Sequence, residues 1–160
     1  MDLAALVADA TAAGLTVATA ESLTGGLLTA ALVEVPGASG MLNGGVIAYQ
    51  NDVKVRALGV PAELLAEHGA VDARVACAMA LGACHMAGAR VGLSTTGVAG
   101  PEPHQGKAVG HVFIGVALDG EAQAYEYHFG GDRAMVRQQA VDEALALLQQ
   151  VVAAAREQKL

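Results

Sequence analysis

Four short polar stretches of this chain carry residue types able to do chemistry. They are Glu21-Ser22-Leu23-Thr24-Gly25-Gly26, Tyr49-Gln50-Asn51-Asp52-Val53-Lys54, Thr95-Thr96-Gly97-Val98-Ala99-Gly100-Pro101 and Gly130-Gly131-Asp132-Arg133. Ser22 follows a small apolar run, 17–20, suited to a buried strand, and precedes a helical run expected from Gly25 to about Val35, with Thr24 as its N-cap. A strand, a polar turn and a helix start in that order place Ser22 beside a helix N-terminus. Free N–H groups and the positive dipole end favour an anion or a developing oxyanion there. Each stretch also has an ordinary structural reading: a plain strand-to-helix turn at Ser22, a strand aromatic at Tyr49, a solvated charge at Lys54, β-formers at Thr95 and Thr96, a first-turn surface residue at Arg133. Spacing along the chain does not by itself show that the four converge.

The elements that must position these groups follow from periodicity and punctuation. Asp2 caps an expected helix over 3–13, ended by Gly14. A second strand is expected over 44–50, then a helical turn from Asn51 to Leu58 and a short helix over 61–67 with Pro61 at its first position. Asp72 caps a long helix to about Ala87, whose broad apolar face includes Met79, Ala83 and Met86. Strands follow over 91–95 and 109–118, separated by a Gly- and Pro-rich loop. Asp119-Gly120 is a hairpin turn into a strand over 123–129. The last helix runs to about Ala155, with Val141, Ala144, Leu145, Leu148 and Val152 along its inner stripe. Early strands alternating with helices, then a hairpin, predict one α/β domain over 1–160: a three-layer α/β/α sandwich with a mixed sheet.

Composition narrows the function classes. The 160 residues suit one domain with a real core. Aromatics make up 3 % and Trp is absent, so the core must be built from Ala, Val and Leu. A net charge of −7, from 16 acidic against 9 basic residues, argues against nucleic acid or an anionic membrane as partner, which would need a basic footprint. A small anionic ligand remains compatible, since one Arg and a helix end make a local positive site. Cys77 and Cys84 fall on one face of the same predicted helix, roughly 10 Å apart along its axis, too far for a disulfide; they read as small buried side chains. No signal peptide or membrane-length apolar run is visible, and a soluble cytoplasmic protein is expected. His68, His85, His104, His111 and His128 show no ligand spacing along the chain, so no metal or other cofactor is expected.

Taken together, the blocks resemble a known family. Ala20-Glu21-Ser22-Leu23-Thr24-Gly25-Gly26, the run from Gly44 to Lys54, Leu58-Gly59-Val60, Gly69-Ala70-Val71, Thr96-Gly97-Val98-Ala99-Gly100-Pro101, Val109-Gly110 and Gly131-Asp132-Arg133 are similar, in order and spacing, to the C-terminal domain of competence/damage-inducible protein A (CinA). They resemble equally its stand-alone relatives, the nicotinamide-nucleotide amidases of PncC type. The resemblance covers about 16–148. With nothing before it that could be the nucleotide-processing domain of longer CinA proteins, the chain resembles the stand-alone form.

The resemblance implies an amidohydrolase that converts nicotinamide mononucleotide into nicotinate mononucleotide and ammonia without a cofactor. It implies Ser22 as nucleophile and Lys54 as its base, with Tyr49 assisting. A lysine can act so only if its pKa falls from about 10.4 towards 7–8. On this reading Thr24, Gly25, Gly26, Thr96 and Gly97 bind substrate, their turns holding the oxyanion. Arg133 suits the 5′-phosphate by charge and geometry. Glu21 has no assignable chemistry, and ordering the turn is its expected role. A homodimer is expected by analogy and from the aliphatic surface so apolar a chain must expose. The family pattern is broken at Leu23 (often Cys), at Gln50 (usually Ser) and over Glu102-Pro103-His104-Gln105-Gly106-Lys107-Ala108, where two glycines are lost and Pro103 stiffens the backbone. If that loop lines the pocket, specificity or activity differs. The competing reading is a catalytically silent relative that binds a nucleotide or a protein partner.

Overall fold

The computed structural model of the protein describes residues 1–158. Its order is α1 (Leu3–Ala12), β1 (Val17–Glu21), α2 (Leu27–Val33), a single 3-10 turn (Ala38–Gly40), β2 (Leu42–Ile47), α3 (Asn51–Leu58), α4 (Ala62–His68), α5 (Ala73–Ala87), β3 (Val91–Gly97), β4 (His111–Leu118), β5 (Glu121–His128) and α6 (Arg133–Glu157). The strands lie in the order β2-β1-β3-β4-β5. β1 is parallel to β2 and β3, and the β3–β4 and β4–β5 pairs are antiparallel. This is the expected α/β/α sandwich with a mixed sheet.

Strand β1 is buried along its whole length, because helices cover both faces of the sheet. Side-chain alternation divides it between two cores. Val17 joins Leu6, Leu28, Leu32, Met41, Leu93, Ile114 and Leu148 in the core under α1, α2 and α6. Ala18 and Ala20 join Leu58, Val75, Met79 and Ala83 on the α3 and α5 side. The cores are aliphatic, as composition required.

Small residues let α5 sit close to the sheet. A Cβ at Gly92 would stand 2.1 Å from the Ala80 carbonyl, and one at Gly115 would stand 2.3 Å from that of Ala76. Ser94 Oγ donates to the same Ala76 carbonyl at 2.6 Å. Where α3 crosses α5, a Cβ at Gly82 would stand 2.1 Å from the Leu58 carbonyl. The nearest obstacle at each of the three glycines is a backbone carbonyl, which cannot give way as a flexible side chain can, so the layer spacing is set by these positions.

Several sequence expectations are corrected. β2 begins at Leu42 and ends at Ile47, so Tyr49 and Gln50 lie in the loop after it. β4 begins at His111, not Val109. Thr24 is not a helix cap: α2 starts later, at Leu27, with Gly26 in the cap position at φ 105°. Met86 is exposed rather than buried, and Cys77 and Cys84 are half-buried free thiols. Burial pushes both thiols above their ordinary pKa. Among the described residues no helix is long and apolar enough to cross a membrane.

Candidate active site

Parallel strands β1, β2 and β3 point their carboxyl ends the same way, and β1 lies between the other two. Chain connections leave β1 towards β2 and return across it to β3, so a crevice is expected beyond these ends. There the structure has a cavity of about 470 Å³, within the usual range for small-molecule sites. Ser22 and Leu23 reach it from β1, Tyr49, Gln50 and Lys54 from the β2–α3 connection, Thr96 and Gly97 from β3, and Arg133 from the first residue of α6.

Lys54 decides the chemistry. It is carried by the first turns of α3 and is 1 % exposed, among the largest fully buried side chains of the protein. Its Nζ donates to Ser22 Oγ at 3.2 Å and to the Tyr49 carbonyl at 3.1 Å. No carboxylate pairs with it among the described residues, so desolvation is uncompensated, and burial brings its pKa down from 10.5 to about 8. A neutral amine within hydrogen-bond reach of a hydroxyl is the arrangement in which a serine becomes a nucleophile.

The turn carrying Ser22 is fixed from three directions. Ser22 N–H donates to the Thr95 carbonyl at 3.0 Å, continuing the β1–β3 pairing by one residue. Thr24 is fully buried, and its hydroxyl meets that of Thr95 at 2.8 Å. Gly25 and Gly26, both at positive φ, then reverse the chain, a conformation side chains resist.

Glu21 provides the third restraint. Its Oε1 accepts from the N–H of Gly26 and of Leu28, at 3.1 and 2.8 Å, and its Oε2 from Thr29 N–H at 2.9 Å and from the Thr29 hydroxyl. A buried carboxylate therefore satisfies the unpaired donors at the start of α2. This corrects the expectation of an open helix N-terminus beside Ser22: the anion there is the protein's own. It also gives Glu21 a concrete form of the turn-ordering role.

Six of the nine predicted site residues share the cavity: Ser22, Tyr49, Lys54, Thr96, Gly97 and Arg133. Thr24, Gly25 and Gly26 do not line it; they shape the turn behind Ser22. The N–H groups of Ser22, Gly25 and Gly26 are already bonded within the protein. Tyr49 meets Lys54 through its main-chain carbonyl, while its half-exposed phenol accepts from Arg133 Nη2 at 3.2 Å. Arg133 also donates to the Gly100 carbonyl and has no ion pair among the described residues, so its charge at the cavity wall is uncompensated by a carboxylate bond. Thr96 Oγ1 donates to the Ala70 carbonyl at 2.7 Å, tying the α4–α5 connection to the floor.

Sequence reasoning missed Arg137. Its Nε donates to the Leu23 carbonyl at 2.8 Å and its Nη2 to the Thr24 carbonyl at 3.2 Å, so α6 grips the turn immediately after Ser22. The signal was available: Arg137 is one helical turn beyond Arg133, on the same face. The divergent loop does line the cavity, through Glu102, Pro103, His104 and Gln105. His104 and Lys107 exchange both main-chain hydrogen bonds, 3.0 and 2.8 Å, around Gln105 and Gly106, both at positive φ. Gln105 Oε1 lies against Gly69, where a Cβ would stand 2.5 Å from it.

Residues 2–152 match the family described as the CinA C-terminal domain. The chain belongs to the CinA C-terminal domain family. It is 49 % identical over 135 residues to a putative competence-damage inducible protein of Desulforamulus reducens, covering 84 % of this chain and 33 % of that protein. To a CinA-like protein of Frankia casuarinae it is 47 % identical, covering 86 % and 32 %. The chain thus spans about a third of the length of the curated relatives it matches. Among solved structures, a CinA superfamily protein of Klebsiella pneumoniae superposes with a TM-score of 0.91 at 34 % identity, covering 95 % of this chain and 96 % of the other. The competence/damage inducible protein CihA of Agrobacterium tumefaciens gives 0.86 at 37 %, with 92 % and 94 % covered.

Proposed function

We propose that this CinA-family domain is an amidohydrolase that deamidates nicotinamide mononucleotide by a Ser–Lys mechanism. The observation that carries the reading is the 3.2 Å contact between Ser22 Oγ and a buried Lys54 whose pKa is brought down to about 8. A shift from 10.5 to about 8 raises the neutral fraction near pH 7 roughly 300-fold, to about one molecule in ten.

In this reading neutral Lys54 takes the hydroxyl proton as Ser22 Oγ bonds to the carboxamide carbon. The carbonyl oxygen becomes an oxyanion; Leu23 N–H, adjacent to Ser22 and without a protein acceptor among the described residues, is the donor the turn offers it. The Lys54 ammonium returns its proton to the amide nitrogen, the C–N bond breaks and ammonia leaves. Water then attacks the Ser22 ester with Lys54 again as base, releasing the carboxylate and restoring Ser22. Arg133, lacking a carboxylate partner, is the group suited to the 5′-phosphate. No step calls on a cofactor. The partner is a small nucleotide; exposed Leu27, Val33, Ile47 and Val53 on α2, β2 and α3 are apolar area for a homodimer, which sedimentation would detect.

The test is ammonia release from nicotinamide mononucleotide by purified protein in the presence of a chelator. Ser22→Ala should abolish it. Lys54→Arg should be nearly as damaging as Lys54→Ala, because a guanidinium keeps the charge and gives up no proton near neutrality. Ser22→Ala activity within about tenfold of wild type, a barrier change of only about 1.4 kcal/mol, would remove the nucleophile assignment.

A further inference from the structure

At the end of the sheet that bears the cavity, β4 begins with His111 and β5 ends with His128. The register sets these two opposite each other. Next to them Phe129 N–H donates to the Gly110 carbonyl at 2.8 Å, so His111 and His128 form a non-hydrogen-bonded pair, the kind in which facing side chains come closest. Their rings stack with centroids 4.4 Å apart and planes 28° from parallel. Glu126, two residues before His128, shares that face of the sheet. Its Oε1 lies 2.7 Å from His111 Nε2 and 3.7 Å from His128 Nε2.

We propose that His111, Glu126 and His128 form a binding site for a divalent transition metal of the zinc class. The three ligand atoms all lie within 4.8 Å of one another. A tetrahedral ion with bonds of about 2.0–2.1 Å holds its ligand atoms roughly 3.4 Å apart. The two contacts to Glu126 bracket that separation, and the third pair lies within 4.8 Å, so small side-chain movements would close the site. Two imidazoles with one carboxylate favour zinc-like ions over magnesium or calcium, which prefer oxygen ligands. Exposure is graded across the site: the His111 side chain is 11 % exposed, that of Glu126 53 % and that of His128 70 %. One side is therefore anchored by the sheet and the other opens to solvent, which gives the ion a route in and a coordination position for water.

The ion would act as a clip, because none of these three residues lines the Ser22–Lys54 cavity. It would pin β4 to β5 where the loop over 98–110, which lines the cavity from Val98 to Gln105, joins β4, and five residues before α6 begins with Arg133. Spacing along the chain gives no hint of the site. Seventeen positions separate the histidines, and only the hairpin register brings them together.

The experiment uses the full chain, free of any tag and stripped with chelator. Co2+ titration should produce a visible d–d band that Zn2+ displaces, and Zn2+ at a hundredfold excess over its dissociation constant should raise Tm by about 5–10 °C. His128→Gln and Glu126→Gln, both at exposed side chains, should lose the band and the shift. Cys77→Ala/Cys84→Ala should keep them, because those thiols lie on α5. No band and no shift in wild type would overturn the proposal, and so would their survival in His128→Gln.

Discussion

A buried lysine that gives up its proton easily must cost the fold stability, and the cost has a pH signature. We predict that Lys54→Met, similar in length and apolar, is inactive, and that its stability relative to wild type falls steeply between pH 8 and 10.5. The unfolded chain holds the lysine proton up to about 10.5, while the folded chain releases it near 8. Between these values unfolding takes up a proton, so wild-type stability rises with pH. Below pH 8 the full penalty applies. A shift of 2.5 units, 10.5 less 8, corresponds to about 3 kcal/mol. At pH 7 Met escapes that penalty but leaves Ser22 Oγ and the Tyr49 carbonyl without their donor, about 1 kcal/mol each, so it should be more stable than wild type by about 1 kcal/mol. By pH 10.5 the penalty is gone and the order reverses, a swing of about 3 kcal/mol or roughly 6–12 °C in relative Tm. Other groups titrate alike in both proteins, so the difference isolates Lys54. Urea unfolding of the pair at pH 7, 8, 9 and 10.5 measures it. A stability difference that stays flat across this range would show that Lys54 keeps an ordinary pKa, and the base assignment would go with it.

Three further outcomes are expected. The value of kcat/KM should rise with pH through a midpoint near 8 as Lys54 loses its proton, and a midpoint near 10 would exclude Lys54 as the base. Arg133→Ala should lower kcat/KM for nicotinamide mononucleotide about ten- to a hundredfold and hardly change it for nicotinamide riboside, which lacks the phosphate; equal losses on both would end the phosphate assignment. Gly45→Ala should destabilise by about 1–3 kcal/mol in urea unfolding, since its Cβ would stand 2.2 Å from Thr19 Oγ1 and 2.8 Å from Thr29 Oγ1, the hydroxyl that also serves Glu21; a neutral result would mean this network yields easily.

The sequence by itself determined the layers. Apolar periodicity separates helices from strands, Asp2 and Asp72 accept from the first-turn N–H groups of α1 and α5 as cap residues should, and Asp119-Gly120 makes the β4–β5 turn. These are local preferences, written in neighbouring residues, and they survive folding because tertiary packing agrees with them. The polar blocks also named most of the cavity wall, since strand ends and glycine-rich turns are where α/β sheets place ligands. Contacts between residues distant in the chain were decided only by tertiary structure. That Lys54 is buried, and so weakly basic, depends on α3 packing against α5 with its first turns turned towards Ser22, and could not be read from its polar neighbours Asn51 and Asp52. The start of α2 looked like an anion site, yet Glu21 fills it, because Gly25 and Gly26 turn that helix back over β1. Arg137 reaches Leu23 and Thr24 across 114 and 113 positions, and His111 faces His128 only through the hairpin register. Burial and long-range approach set pKa values and ligand clusters, and both are properties of the packed chain, not of any one segment of it.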